Sequence, residues 1–293
     1  MFDEFERSQI DTGTATISVR HGGSGPPVLL LHGFPQSSAM WHPIAPQLAE
    51  HHTVVAPDLR GYGSSSRPPE GDDHSGFSFR AMAQDQVTVM RELGHERFAV
   101  VGHDRGARVG HRMALDHPDA VERLAVLDIL PTLHVYSNVD RDLATGYYHW
   151  FFFIQPFDLP ERLISAEPMY YLHKLLGGWG GSLDVFAPDA LAEYERAFAD
   201  PAVRHAMLED YRAGASIDLE HDRADEGRLL DMPVLSMWGS RGIVGRNGGD
   251  EVLAVWRTRA ADVRGASVDT GHFLVEEAPE ATLAHLRPFL SGA

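Results

Sequence analysis

The stretch Val100-Val101-Gly102-His103-Asp104-Arg105-Gly106-Ala107-Arg108 decides the reading of this chain. The apolar run Phe98–Gly102 has the character of a buried strand, and Arg105–Asp116 has the pattern of a helix. Between them lies Gly-x-Asp-x-Gly, a turn with no room for a loop. Small residues two before and two after the apex are what a strand-to-helix turn this tight requires. Its serine version is the nucleophile elbow, which lifts one strained side chain above the sheet edge and aims it into a cleft. Here the lifted group is a carboxylate. Asp is also a favoured helix N-cap, so the turn alone leaves Asp104 between a cap and a nucleophile.

Outward from the elbow the chain alternates strand and helix. Val28–His32, Thr53–Pro57 and Leu124–Asp128 are further continuous apolar runs, as expected for strands buried on both faces of a parallel sheet, and Thr14–Arg20 alternates like a half-buried strand. Helical patterns fall at Ser38–Glu50 and Phe79–Leu93. After Asp128 the pattern stops. About a hundred residues follow with aromatics and helix formers, broken by Pro156, Pro160, Pro168 and the glycine-rich run at 177–181. It then resumes with Val234–Trp238, a helix near Asp250–Ala261, a strand near Ala266–Thr270 and a last helix near Glu277–Leu290. The expected architecture is α/β, a mostly parallel sheet flanked by helices. Residues 1–130 and 229–293 would form the sheet core, and residues 131–228 an inserted helical cap.

Composition narrows the function. Of 293 residues 43% are hydrophobic, ordinary for a globular chain. The 42 acidic against 25 basic residues leave a charge of −17, which repels phosphate backbones and anionic lipids, so no nucleic acid or membrane partner is expected. The absence of cysteine excludes disulfides, thiolate metal sites and a cysteine nucleophile. The acidic start MFDEFERSQIDTG lacks the features of a secretory signal, and no apolar run nears the roughly 20 residues of a membrane span, so a cytoplasmic location is expected. No His-Glu-x-x-His, Walker loop or Gly-x-Gly-x-x-Gly occurs, and neither metal nor cofactor is expected.

Three further segments accompany the elbow: Leu29–Gln36 (LLLHGFPQ), Asp58–Ser64 (DLRGYGS) and Asp269–Phe273 (DTGHF). In this order, over nearly the whole chain, they resemble the α/β-hydrolase superfamily. The aspartate at the elbow is similar to the branch containing haloalkane dehalogenases, epoxide hydrolases and haloacetate dehalogenases. Finer strings resemble the fluoroacetate dehalogenase family: GHDRGAR at the elbow, Tyr148-His149-Trp150-Phe151-Phe152 with Gln155-Pro156, and Glu209-Asp210-Tyr211-Arg212-Ala213 with Ile217–Asp222.

The resemblance implies roles for residues of this chain. Asp104 would be the nucleophile and His272 the base. The amides of Phe34 and Arg105 would form an oxyanion hole, and His149, Trp150 and Tyr211 a halide pocket, with Trp179 as pocket wall. The acid that orients His272 often follows the strand after the cap in this superfamily, but Trp238-Gly239-Ser240-Arg241-Gly242-Ile243 holds no carboxylate. That leaves Asp128, closing a buried apolar strand where an unpaired carboxylate would be costly.

The chemistry of the residues agrees. A carboxylate nucleophile suits displacement at a saturated carbon or an epoxide, because it leaves an ester that water can cleave. A helix N-terminus and two guanidiniums favour its charged form. Arg105 and Arg108 also make a site for a substrate carboxylate, which a haloalkane or epoxide lacks. The expected activity is hydrolysis of a short 2-haloacid, with fluoroacetate giving glycolate and fluoride. A small haloacid is the expected partner, with self-association into a homodimer left open. Two other readings stand beside this one: an epoxide hydrolase with Tyr211 and Tyr147 or Tyr148 as acids, and a ligand receptor on a hydrolase scaffold.

Overall fold

A computed structural model of the chain describes residues 1–292. Eight strands form one sheet: β1 (Glu6–Asp11), β2 (Thr16–Gly23), β3 (Pro27–Leu31), β4 (Thr53–Pro57), β5 (Phe98–His103), β6 (Val121–Leu127), β7 (Val234–Gly239) and β8 (Val263–Val268). Their order is β1-β2-β4-β3-β5-β6-β7-β8. The first two junctions, β1–β2 and β2–β4, are antiparallel, and every later one is parallel. Unlike β8, a partly exposed edge with sequence VRGASV, the parallel strands β3 to β7 are the apolar runs of the sequence, and all six residues of β5 are buried. Helices on both faces bury such strands completely, which removes the alternation an exposed face would impose.

Register brings the functional ends together. Leu31 of β3 pairs with Gly102 of β5, and His103 of β5 pairs with Leu127 of β6. The residues that follow β3, β5 and β6 therefore emerge side by side at one sheet edge, where open α/β sheets bind ligands.

Between β6 and β7 the described residues form eight α-helices, from Thr132–Ser137 to Ile217–Ala224, with one 3-10 turn at Leu183–Val185 and no strand of the sheet. Proline stands in the first turn of four of them, at Pro160, Pro168, Pro188 and Pro201, where its missing N–H costs nothing. The glycine-rich run at 177–181 differs from expectation. It continues the helix Pro168–Gly180 rather than interrupting it, and Gly181 closes that helix with φ 81°.

Two expected helices also change, and one strand carries no sequence signal. The expected helix Ser38–Glu50 is a single 3-10 turn, Ser38–Trp41, and a short helix, Ala45–Ala49. Pro43 lies between them and has no N–H to donate to a continuing helical ladder. The last helix, expected near Glu277–Leu290, runs Pro279–Ser291, and a separate short helix, Leu274–Glu277, precedes Pro279. β1, with sequence ERSQID, carries no apolar run because it is an exposed edge strand.

Candidate active site

Asp104 adopts φ 47° and ψ −117°, outside the regions open to ordinary L-residues, between the end of β5 and the helix Arg105–Asp116. The turn is as tight as the glycines implied: a Cβ on Gly106 would lie 2.3 Å from the carbonyl oxygen of Leu31. Asp104 makes no side-chain cap for the helix that follows. Its Oδ1 instead accepts the amide of Phe34 at 3.0 Å. Burial works against its ionisation, but the charges of His272 and Arg108 outweigh it and hold the carboxyl below its usual range.

His272 Nδ1 is 2.6 Å from Asp128 Oδ2, and its Nε2 is 3.9 Å from Asp104 Oδ2. Asp128 is buried directly after β6, with φ 54°, and its Oδ1 accepts the amide of Gly239 at 3.0 Å. Burial opposes a charge on His272, yet the hydrogen bond and charge of Asp128, with Asp104, raise its pKa above the usual histidine value. The three residues picked from separate segments thus meet in one chain of contacts.

The segment DLRGYGS supports the site without facing it. Asp58 accepts the amides of Ser38 and Ser64, each at 2.8 Å, and His32 Nε2 accepts the amide of Leu59 at 2.9 Å. These bonds pin the loop that presents the Phe34 amide.

The two arginines differ in their partners. Arg105 donates from Nε to Asp210 Oδ2 at 2.9 Å and from Nη2 to the Asp210 carbonyl at 2.7 Å, and Nη2 also pairs with Asp210 Oδ1. Tyr62 adds a 2.6 Å hydrogen bond to the same carboxylate. Arg108 donates from Nη1 to the Leu130 carbonyl and to Thr132 Oγ1, both at 2.9 Å, while its buried Nε and Nη2 meet no acceptor among the described residues. Asp210 stands in one of the strings that carry the resemblance, but nothing in its spacing or that of Thr132 tells which guanidinium each will meet.

His149, Trp150 and Tyr211 are all buried. The Tyr211 ring lies 5.8 Å from that of His149 and 6.2 Å from that of Trp150, although some sixty residues separate them in the chain. Burial lowers the pKa of His149 to about 3, so its ring is neutral, and its Nδ1 has no partner among the described residues. The guanidinium carbon of Arg105 sits 4.3 Å from the centre of the Tyr211 ring, and that of Arg108 4.6 Å from Trp150. Trp179 packs 4.6 Å from His149 and 5.7 Å from His272. A cavity of about 160 Å³ is lined by Asp104, Asp128, His149, Trp150, Trp179 and His272, among others.

The profile of the alpha/beta hydrolase fold matches residues 26–279. The chain belongs to the α/β-hydrolase family. This hydrolase is 51% identical to a fluoroacetate dehalogenase of Burkholderia sp, over all of its own length and 96% of the relative's. It is 36% identical to a soluble epoxide hydrolase of Corynebacterium sp. (strain C12), covering 88% of this chain and 87% of that one. Among solved structures, an α/β-hydrolase candidate from Nostoc sp PCC 7120 superposes with a TM-score of 0.98 at 57% identity, covering both chains in full. The architecture of this hydrolase is therefore that of its family.

Proposed function

We propose that this α/β-hydrolase is a haloacetate dehalogenase acting on short 2-haloacids, with fluoroacetate as the leading substrate. The observation that carries the reading is Arg108. A buried guanidinium within the charge field of Asp104, with two nitrogens unpartnered, is built for a substrate carboxylate. The identity to the Burkholderia fluoroacetate dehalogenase supports the same substrate class. Residues 131–228 act as the cap that closes the site.

In this reading Arg108, with the Nη1 edge of Arg105, holds the carboxylate. Asp104 Oδ2 attacks the α-carbon and the carbon–halogen bond breaks, leaving an ester and a halide ion. His149, Trp150 and Tyr211 donate to the departing halide. The guanidiniums over the Trp150 and Tyr211 rings draw electron density from those faces and strengthen both donors. His272, oriented by Asp128, then takes a proton from water, which attacks the ester carbonyl. That carbonyl oxygen is Oδ1, already bonded to the Phe34 amide; the Arg105 amide, free at the helix start, is the second donor to the oxyanion. The acyl–oxygen bond breaks, glycolate leaves with the proton from His272, and the Asp104 carboxyl loses its proton to solvent.

Epoxide hydrolysis would use the same nucleophile and base, and the Corynebacterium relative keeps that alternative in view. It also needs an acid for the opening oxygen. Burial raises the pKa of Tyr211 well above 10, which suits a hydrogen-bond donor better than a proton donor. Halide and diol assays on fluoroacetate, chloroacetate and a styrene-oxide-like epoxide separate the readings, and a receptor would turn over none. In a single turnover in heavy-oxygen water, label should enter Asp104; label found only in glycolate rules out the ester. A homodimer belongs to the same proposal, supported by the exposed apolar side chains of Phe157, Leu159, Leu163 and Tyr170, and sedimentation decides it.

A further inference from the structure

The base sits in a three-residue turn whose backbone is held from three directions. The Glu277 carboxylate accepts the amide of Gly271 at 2.6 Å and the amide of Phe273 at 2.9 Å, one on each oxygen. The amide of His272 itself donates to the carbonyl of Trp179 at 3.0 Å. Gly271 permits that approach, since a Cβ there would lie 2.2 Å from the same carbonyl oxygen. The carbonyl of His272 accepts from the ring of His103, with Nε2 2.8 Å away.

His103 precedes the nucleophile and is fully buried, its ring centre 4.5 Å from that of His272. Only a protonated ring nitrogen can donate to a carbonyl, so Nε2 carries the hydrogen. Burial, with the neighbouring charge of His272, lowers the pKa of His103 to about 3. The ring is therefore neutral, and it can touch the base without repelling the imidazolium that forms there.

We propose that His103 and Glu277 are positioning residues for ester hydrolysis: they fix the backbone of residues 271–273 and so hold the His272 ring against the ester carbonyl of Asp104. The inference rests on the two-step reading above. In that reading the carboxylate attacks without help from the base, whereas water activation depends on where the imidazole stands. A misplacement of about 1 Å can cost about 10²-fold in rate. Loss of either residue should therefore divide the two steps, which a general loss of structure would not do.

The experiment follows one turnover of chloroacetate in the full-length enzyme. Halide release reports ester formation, and intact-protein mass spectrometry reports ester decay. His103→Leu and Glu277→Gln should release the first halide within about twofold of the parent, yet lose about tenfold or more in ester decay. His103→Gln, which keeps a donor at similar reach, should recover most of that loss. An equal fall in both steps, or ester decay at the parental rate, overturns the proposal. If His103→Leu does not fold, Glu277→Gln and His103→Gln decide by the same criteria. If the parent and His272→Asn both form no ester, the dehalogenase reading itself fails and this inference falls with it. Ester in the parent, with parental decay in the variants, overturns the positioning role alone.

Discussion

His272 Nε2 stands 3.9 Å from Asp104 Oδ2, close enough for charge to act between them and too far for a hydrogen bond. The carboxylate is left free to attack, and the imidazole is left free to take a proton from water. The pKa of His272 is raised and that of Asp104 lowered, so the two steps should separate with pH. Once the ester forms, the Asp104 charge is gone, but the hydrogen bond and charge of Asp128 still favour the imidazolium. Hydrolysis needs neutral His272 and should fail as pH drops through the pKa of His272 in the ester, while attack by Asp104 continues. The ester fraction of the unmodified enzyme, read by intact mass during turnover, should rise as pH falls from about 8 to about 5. A constant fraction would remove His272 as the base.

Replacing His272 by Asn should trap the ester, since the nucleophile is untouched and the base is lost. General-base catalysis is worth about 10²–10⁴-fold. Asp128→Ala should slow the same step less completely, because His272 keeps its place but loses the partner at 2.6 Å. Halide burst and ester decay, measured separately, check both.

Arg108→Leu should raise the KM for haloacetates steeply, by about 2–5 kcal/mol of lost binding to a buried charge. Haloacetamide should be a poor substrate for the parent. Asp210→Ala should behave differently, because it strands the buried guanidinium of Arg105. Its main effect should be on folding, about 3–5 kcal/mol in denaturant titrations.

Tyr211→Phe and Trp150→Phe should depress defluorination more than dechlorination. Fluoride leaves with its charge more concentrated, and a hydrogen bond to a charged group is worth about 1.5–3 kcal/mol. Parallel rates on the two substrates decide this: equal losses would reduce both residues to pocket wall.

Tyr147 and Ile243 line the 160 Å³ cavity and also a neighbouring one of about 240 Å³. Ile243→Ala should join the two spaces and shift preference toward longer 2-haloacids. The ratio of kcat/KM for 2-chlorobutanoate to that for chloroacetate should rise; an unchanged ratio would show that another residue limits chain length.

Much of the fold was legible because its signals are local. Buried parallel strands are short apolar runs, and Thr53–Pro57 and the helix Arg105–Asp116 fall where the sequence placed them. The elbow could be read from glycine spacing, because a turn that tight excludes a Cβ whatever surrounds it. On that frame the resemblance to the α/β-hydrolases picked out Asp104, Asp128 and His272 as residues to be brought together. Tertiary structure alone decided how each is held. The Asp210 partner of Arg105, the Thr132 contact of Arg108 and the Glu277 grip on the turn around His272 join residues by hydrogen bonds that leave no periodicity. The same holds for β1, whose exposed edge needs no apolar pattern, while the meeting of Tyr211 with His149 and Trp150 was implied by the resemblance and by no spacing. Burial is written into composition residue by residue, but the pairing of polar groups depends on which distant segments the packed sheet and helices bring face to face.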